Sequence, residues 1–496
     1  MSMTVEEAKS LVSATVPTGP SPSAATGEVT IDSIVDELNQ EFALVKIGSK
    51  VRFLQEETNS DGQPDETYLS KPDFQTLMAN RIYEYYTDKG IKRMGYDQVW
   101  LKSPQRREYK AVIFAPGQKL DPAYYNTYRG FAVEPKPGGS WKKLRHHIFT
   151  NICRKKHELY HYVMAWIAKL IQDPGGDRTG VVIVLRGRQG TGKGVLVNAI
   201  GKLLGTHYLH LTNQQQILGK FNRHLEKALL LFADESFFAG DKQAAGSLKG
   251  LITEPTFQVE PKGIDSYQAR NYLHIIMASN NEWVVPAGHE ERRFLVLDVD
   301  DKQMQNHQYF KEINEELENG GYEAMLHDLL RHKYANVNLR QAPSTAGLFD
   351  QKVATLESVP LFWFNALCTG TIRFRDDHGY MDEWDICKHF VPAENLFSAY
   401  KLFCSDQREN YPLPPAQFSK ELKKLVPTSS AARKAVNGTK YRGYEFVSIE
   451  SCRDHFVQLM GGEIDWTAWE LRADSETTQP ALKVIAPAAK KDPKAM

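Results

Sequence analysis

Short apolar runs are scattered along this chain, and between residues 180 and 300 they become regular. Val181–Leu185, Tyr208–Leu211, Ala228–Ala233, Leu273–Ala278 and Phe294–Val299 are almost wholly apolar, and helical periodicity fills the gaps between them. Runs this short without alternation predict strands buried on both faces, and strands separated by helices predict a mostly parallel sheet. The expected core is therefore a five-stranded α/β domain over residues 180–345.

Upstream, FALVKIG, KVRFLQ and KAVIFAP read as β runs and Phe74 to Tyr86 as helix, which predicts an α+β accessory domain over 31–140. Trp141 to Ile171 has helical periodicity rich in His, Lys and Arg, giving a helical collar or linker over 141–179. Downstream, Gln303–Asn336 and Pro343–Leu367 read as helical and His378–Asp385 as a polar turn. From Pro392 the order is helix (ENLFSAYKLFCSDQ), helix (PAQFSKELKKLV), basic turn (SSAARKAVNGTK) and strand (YRGYEFVSI). Two helices followed by a β wing predict a helical and winged-helix-like DNA-binding domain over 346–472. Residues 1–30 and 473–496 lack apolar periodicity and are expected to be a disordered arm and a flexible tail.

Composition narrows the function classes. A chain of 496 residues exceeds what one core usually serves, and no apolar run nears the roughly 18 to 20 residues that cross a bilayer. No membrane partner is expected, and the first residues show neither a basic leader nor an apolar core of a secretory signal. Five scattered cysteines without a C-x-x-C pair fit a reducing cytosol. Lys+Arg and Asp+Glu are both 61, so any nucleic-acid contact must be local. Between Gln417 and Tyr444, Lys420, Lys423, Lys424, Arg433, Lys434, Lys440 and Arg442 stand against Glu421 alone, a surface suited to duplex or forked DNA. Lys142, Lys143, Arg145, Arg154, Lys155 and Lys156 form a second cluster, equally readable as a DNA entry or a solvated helix face.

The first apolar run leads directly into GRQGTGKG, residues Gly187 to Gly194. Glycines here let several backbone N–H groups converge on one anion, and Lys193 adds a charge for outer phosphates. Gly187, Gln189, Gly190, Thr191, Gly192, Lys193, Gly194 and Val195 are the expected nucleotide-binding residues, for ATP with Mg2+. A Ser or Thr usually follows the lysine to hold magnesium, and Gly194 replaces it. Further on, ALLLFAD ends an apolar run in Asp234-Glu235, where Asp234 can hold the metal and Glu235 can polarise an attacking water. IIMASNN ends another in Asn280, suited to orient that water. HEERRF places Arg292 and Arg293 before the last run, where an arginine can stabilise a transferring phosphoryl group in a neighbouring subunit. Between these lies FQVEPKG, a hairpin with Lys262 at its tip and Lys249 and Arg270 nearby, placed to meet DNA phosphates.

The ordered set GRQGTGKG, LLLFADES, FQVEPKG, IIMASNN and ERRF resembles the motifs of superfamily 3 helicases. The flanks NTYRGFAVEPKPG and LFSAYKLFCSD…FSKELKKLV…KYRGYEFVSI resemble a phage or prophage branch related to the poxvirus primase-helicase. That resemblance implies an AAA+-like ATPase core, a homo-hexameric ring, 3′→5′ translocation on single-stranded DNA and unwinding of duplex. The first 180 residues show no zinc-binding cysteine set and no D-x-D strand followed by a His, so a separate primase or DNA polymerase partner in a bacterial host cytosol is expected. Two other readings stay open: a DNA-stimulated remodelling or defence ATPase without unwinding, and a nucleotide-switched origin-binding protein.

Overall fold

The computed structural model describes residues 29–461 except 61, 236–241, 263–264, 286, 289–290, 376–380, 386–389, 408–411, 427–429 and 437–438, together with 464, 466 and 469. The expected tail at 473–496 and the expected arm up to residue 28 lie outside the described residues. Two compact units are present.

The smaller unit contains Val51–Glu57, Glu66–Lys110 and the described residues up to Ile47. Helix α1 (Ile31–Glu41) starts at Thr30, which exchanges hydrogen bonds with Ser33 in a capping box. Strands β1 (Phe42–Ile47), β2 (Lys50–Thr58) and β3 (Pro64–Leu69) follow, then α2 (Lys71–Leu77), the hairpin β4 (Ile82–Thr87) and β5 (Gly90–Gly95), α3 (Tyr96–Lys102) and β6 (Glu108–Tyr109). The sheet order is β3-β2-β1-β6, and in the core Phe53 stacks on Phe74 with the Trp100 ring tilted against both. The helix expected from Phe74 to Tyr86 stops at Leu77. IYEYYT is rich in aromatics that favour a pleated surface, and it pairs as β4 with β5 instead.

In the larger unit, β7 (Ala111–Ile113) and β8 (Tyr124–Asn126) pair in parallel. The helix expected from Trp141 to Ile171 is two helices, α4 (Lys142–His147) and α5 (His157–Gln172). A π-helical turn at Ile148–Ile152 ends the first, and Arg154 and Lys155 at φ 46° and 60° reverse the chain between them.

The five predicted apolar runs are the five strands of the central sheet: β9 (Val182–Arg186), β10 (Tyr208–Leu211), β11 (Leu230–Asp234), β14 (His274–Ser279) and β15 (Phe294–Asp298). The antiparallel hairpin β12 (Thr256–Val259) and β13 (Tyr267–Arg270) precedes β14. Order across the sheet is β10-β11-β14-β9-β15, and every pair is parallel. All five C-terminal ends therefore lie along one edge. Ile183, Leu185, Phe232, Ile276 and Leu297 face a layer containing α5 and α6 (Lys193–Leu204). Val182, Val184, Leu231, Met277 and Val296 face the other layer, with Leu248 and Ile252 of α8 (Lys242–Thr253); the short α7 (Gln214–Leu218) adds Ile217 there. Burial on both faces explains the unbroken hydrophobicity of the runs.

His207, in the 3-10 turn just before β10, links separate segments: its Nε2 accepts from the Arg129 N–H at 2.9 Å, and its Nδ1–H donates to the Lys227 carbonyl at 2.9 Å. Burial pushes this imidazole down to about 4, so it stays neutral.

After β15 come α9 (His307–Glu316), a π-helical segment at Leu317–Gly321, α10 (Tyr322–Leu329), α11 (Ala346–Ala354) and α12 (Ser358–Thr369). MDEWD, expected within a polar turn, is β17 (Met381–Asp385), paired with β16 (Thr371–Arg375). Strand β18 (Phe390–Pro392), α13 (Ala393–Asp406), α14 (Pro415–Leu425), β19 (Ser430–Val436), β20 (Thr439–Glu445) and α15 (Ile449–Met460) complete the described chain. The segment expected as a basic turn is mostly β19, the edge of an antiparallel sheet β18-β20-β19. A second apolar cluster, including Trp363, Phe364, Tyr400, Phe418 and Phe456, holds these helices together. Among the described residues no helix is long and apolar enough to cross a membrane, and Cys153, Cys368, Cys404 and Cys452 are buried and form no disulfide.

Candidate functional site

The glycine-rich loop leaves β9 at the C-terminal edge of the sheet, and α6 begins at Lys193. Gly187, Gly190 and Gly192 have φ of 157°, 79° and 89°, conformations that favour glycine. A Cβ at Gly192 would lie 2.5 Å from the Phe310 ring and 2.7 Å from the His147 ring. The loop is also tied from outside: the Gln305 N–H donates to the Gly190 carbonyl at 3.0 Å, and His147 Nε2–H to the Gly192 carbonyl at 3.3 Å. Burial pushes His147 down to about 4, which keeps it neutral, with Tyr309 Oη 3.3 Å from Nδ1. Thr191 is fully buried and its hydroxyl donates to the Arg188 carbonyl at 2.9 Å, so that hydroxyl is turned into the loop. Gln189 is exposed and Val195, in the first turn of α6, is half-buried.

Lys193 is the centre of a hydrogen-bonded chain. Its ammonium donates to the carbonyls of Gly187 and Arg188 and, at 2.7 Å, to Asn280 Oδ1. The Asn280 amide in turn donates to Glu235. Parallel pairing of β11, β14 and β9 makes this possible, because it aligns the residues just past each strand end. Desolvation pulls the Lys193 ammonium below the usual lysine range, and the charges of Asp234 and Glu235 partly oppose this. Glu235 adopts φ 50°, uncommon for a residue with a Cβ, and its N–H donates to the Ala278 carbonyl at 2.9 Å. Asp234 ends β11 with His210 Nε2 3.6 Å from its carboxylate.

Arg292 and Arg293 are not equivalent. The carboxylate of Glu291, only 2% exposed, accepts from Arg293 at 3.1 Å and has Lys249 at 3.7 Å. Arg292 is exposed, and its side chain makes no hydrogen bond or ion pair among the described residues.

The expected DNA-binding residues fall on two hairpins and two helices, Lys249 being on α8 with its ammonium beside Glu291. Lys262 is exposed just beyond β12, and the following Gly263 and Ile264 lie outside the described residues. Arg270 ends β13 with its guanidinium 5.3 Å from the Tyr272 ring centre. Lys423 and Lys424 are exposed in the last turn of α14, Lys424 pairing with Glu421 at 2.7 Å. Arg433 and Arg442 sit directly opposite each other across β19 and β20, both exposed, while Lys434 pairs with Glu445 at 2.6 Å. In the second basic cluster Lys143 pairs with Glu312 at 2.8 Å and Arg145 lies 4.0 Å from Asp328, which favours the solvated, paired face there.

Sequence reading did not single out His147, Gln305 and Phe310 around the loop, nor Glu291 beside the arginines as a buried anchor. His147, Gln305 and Phe310 reach the loop through space from distant segments, and no spacing signal marks them; Glu291 is next to the arginines in sequence, but its burial shows only in the fold.

Part of the chain matches a known family model: residues 185–293 fit a family described as of unknown function, DUF5906. Over 136 residues, 27% of this chain, it is 29% identical to the DNA primase-polymerase of Nitratiruptor phage NrS-1, and the match spans 19% of that protein's length. The apo structure of the NrS-1 C-terminal region superposes with a TM-score of 0.57 at 16% identity, covering 85% of this chain and all of that one. Another apo form of the same region gives a TM-score of 0.56 over 84% of this chain. The last two likenesses are ones of fold.

Proposed function

We propose that this chain is an ATP-dependent DNA helicase of phage or mobile-element replication, working as a homo-hexameric ring that moves 3′→5′ on single-stranded DNA. The observation that carries this reading is the chain Lys193–Asn280–Glu235 at the edge where five parallel strands end, beside a glycine-rich loop and Asp234. Ligands of open parallel sheets bind outside these strand ends. Phosphates cradled by the loop take over hydrogen bonds that Lys193 makes to Gly187, Arg188 and Asn280. Asn280, exchanged from the ammonium, can then reorient Glu235 toward an attacking water, coupling nucleotide arrival to the base.

A magnesium ion takes oxygen ligands and keeps several waters, and a half-exposed Asp234 carboxylate at the strand end suits it. When bound it would neutralise charge developing on the phosphates. Arg292, exposed and unpaired among the described residues, is the better candidate than Arg293 for reaching a neighbouring subunit's nucleotide. Lys262, exposed on its hairpin, would grip a phosphate backbone. The order α13-α14-β19-β20 suits a winged-helix surface on duplex or forked DNA. The replication setting rests on the partial likeness to the phage primase-polymerase, and a separate primase or polymerase would supply synthesis.

Strand displacement on a 3′-tailed duplex tests this reading. Unwinding should vanish in Lys193→Ala and Lys262→Ala, with ATPase activity retained in the latter, and native mass with ATP and DNA should show a ring. ATP hydrolysis without unwinding on either tail polarity would overturn it in favour of a DNA-stimulated ATPase.

A further inference from the structure

Gly194 stands where a hydroxyl would normally hold the metal, and its surroundings differ from those of the other loop glycines. Its φ is not positive, and a Cβ placed there would meet only one atom within 4 Å, Asn198 Nδ2 at 3.7 Å. Positions 194, 198 and 201 share one face of α6. At Gly201 that face is covered by the ring of Tyr208, whose Cδ1 would lie 2.4 Å from a Cβ, so the phenol lies flat on the helix only because residue 201 is glycine. One turn back toward the loop, its hydroxyl donates to Asn198 Oδ1 at 2.9 Å. Tyr208 and His210 alternate on β10 and so share a face, in register with Leu230 and Phe232 of β11; the next residue of that series on β11 is Asp234. Burial first, and then the charge of Asp234, push the Tyr208 phenol above its ordinary value, so it stays protonated.

We infer that Asn198 and Tyr208 do the work of the missing loop hydroxyl, by holding in place a water on the nucleotide's magnesium ion. Water bound to a dication is a strong donor and needs acceptors. The second lone pair of Asn198 Oδ1 and the phenol oxygen of Tyr208 supply two, one turn along α6 from the gap above Gly194, which the Asn198 amide nitrogen borders. Both are positioning residues acting through the metal's water. The inference rests on the nucleotide-binding reading above.

The test uses the full chain with ATP and Mn2+ as a spectroscopic stand-in for Mg2+. Free Mn2+ is followed by electron paramagnetic resonance, and ATP binding is measured separately in EDTA. Asn198→Ala and Tyr208→Phe should each raise the half-saturating Mn2+ concentration about tenfold while leaving metal-free ATP affinity unchanged. Gly194→Ser, which the open space accommodates, should restore metal affinity in either background. Unchanged Mn2+ half-saturation in both variants, or no recovery with Gly194→Ser, would overturn the inference. Wild-type protein that binds no ATP with or without metal would overturn the nucleotide reading itself, and this inference with it.

Discussion

Arg292 and Arg293 are neighbours in sequence but have different physical tasks. Truncating Arg293 leaves the buried Glu291 carboxylate with Lys249 as its remaining cationic partner, beside the backbone N–H groups of residues 292 and 293, so Arg293→Ala should cost about 2 kcal/mol, between the value of an exposed and a buried pair. Arg292→Ala should leave the thermal midpoint unchanged and lower DNA-stimulated ATP turnover on the order of 10³-fold. Paired melting and turnover measurements check both, and the reverse pattern would exchange the roles. Gly192→Ala should destabilise the loop as well as weaken ATP binding, because its Cβ meets Phe310 and His147 at a left-handed backbone. Lys193, Glu235 and Asn280, which the hydrogen-bonded chain joins, were legible because each comes soon after the end of an apolar run, a one-dimensional cue. His147 and Phe310 were not, since they reach the loop from 45 or more positions away.

Elements were legible in proportion to how completely they are buried. Strands of the central sheet have both faces covered, so their sequences lose alternation and show as apolar runs. IYEYYT and SAARKAV are exposed or edge strands whose partner, not their pattern, fixes the conformation, and both were misread. The hairpin β19–β20 carries a further cost: Arg433 directly opposes Arg442, an arrangement that destabilises by a few tenths of a kcal/mol when no anion lies between them. Arg433→Ala should therefore weaken binding to DNA of any sequence, reduce the salt slope by about one unit, and leave the free protein no less stable. Binding titrations from low to high salt, together with thermal melts, give both readouts. A loss of stability without a change in slope would count against a DNA-facing hairpin.

On the scale of the whole molecule, His147, His207 and His274 are each pushed by burial down to about 4, from an ordinary value of 6.5. Unfolding releases them to bind protons more readily, so the folded state binds fewer protons between these values. Their contribution is fully present above about pH 6.5 and is lost as pH falls toward 4, at roughly 1.4 kcal/mol per pH unit for each histidine in mid-range. Urea midpoints measured from pH 7 to 4.5 should fall steadily, and a flat profile would refute the buried neutral state. Among the three, His207 has its tautomer dictated by its partners, because the Arg129 amide can only donate to Nε2 and the proton must reside on Nδ1. That imidazole N–H is sealed between residues 129 and 227, so it should give one downfield, slowly exchanging proton resonance, a natural NMR reporter that disappears only when those distant segments separate.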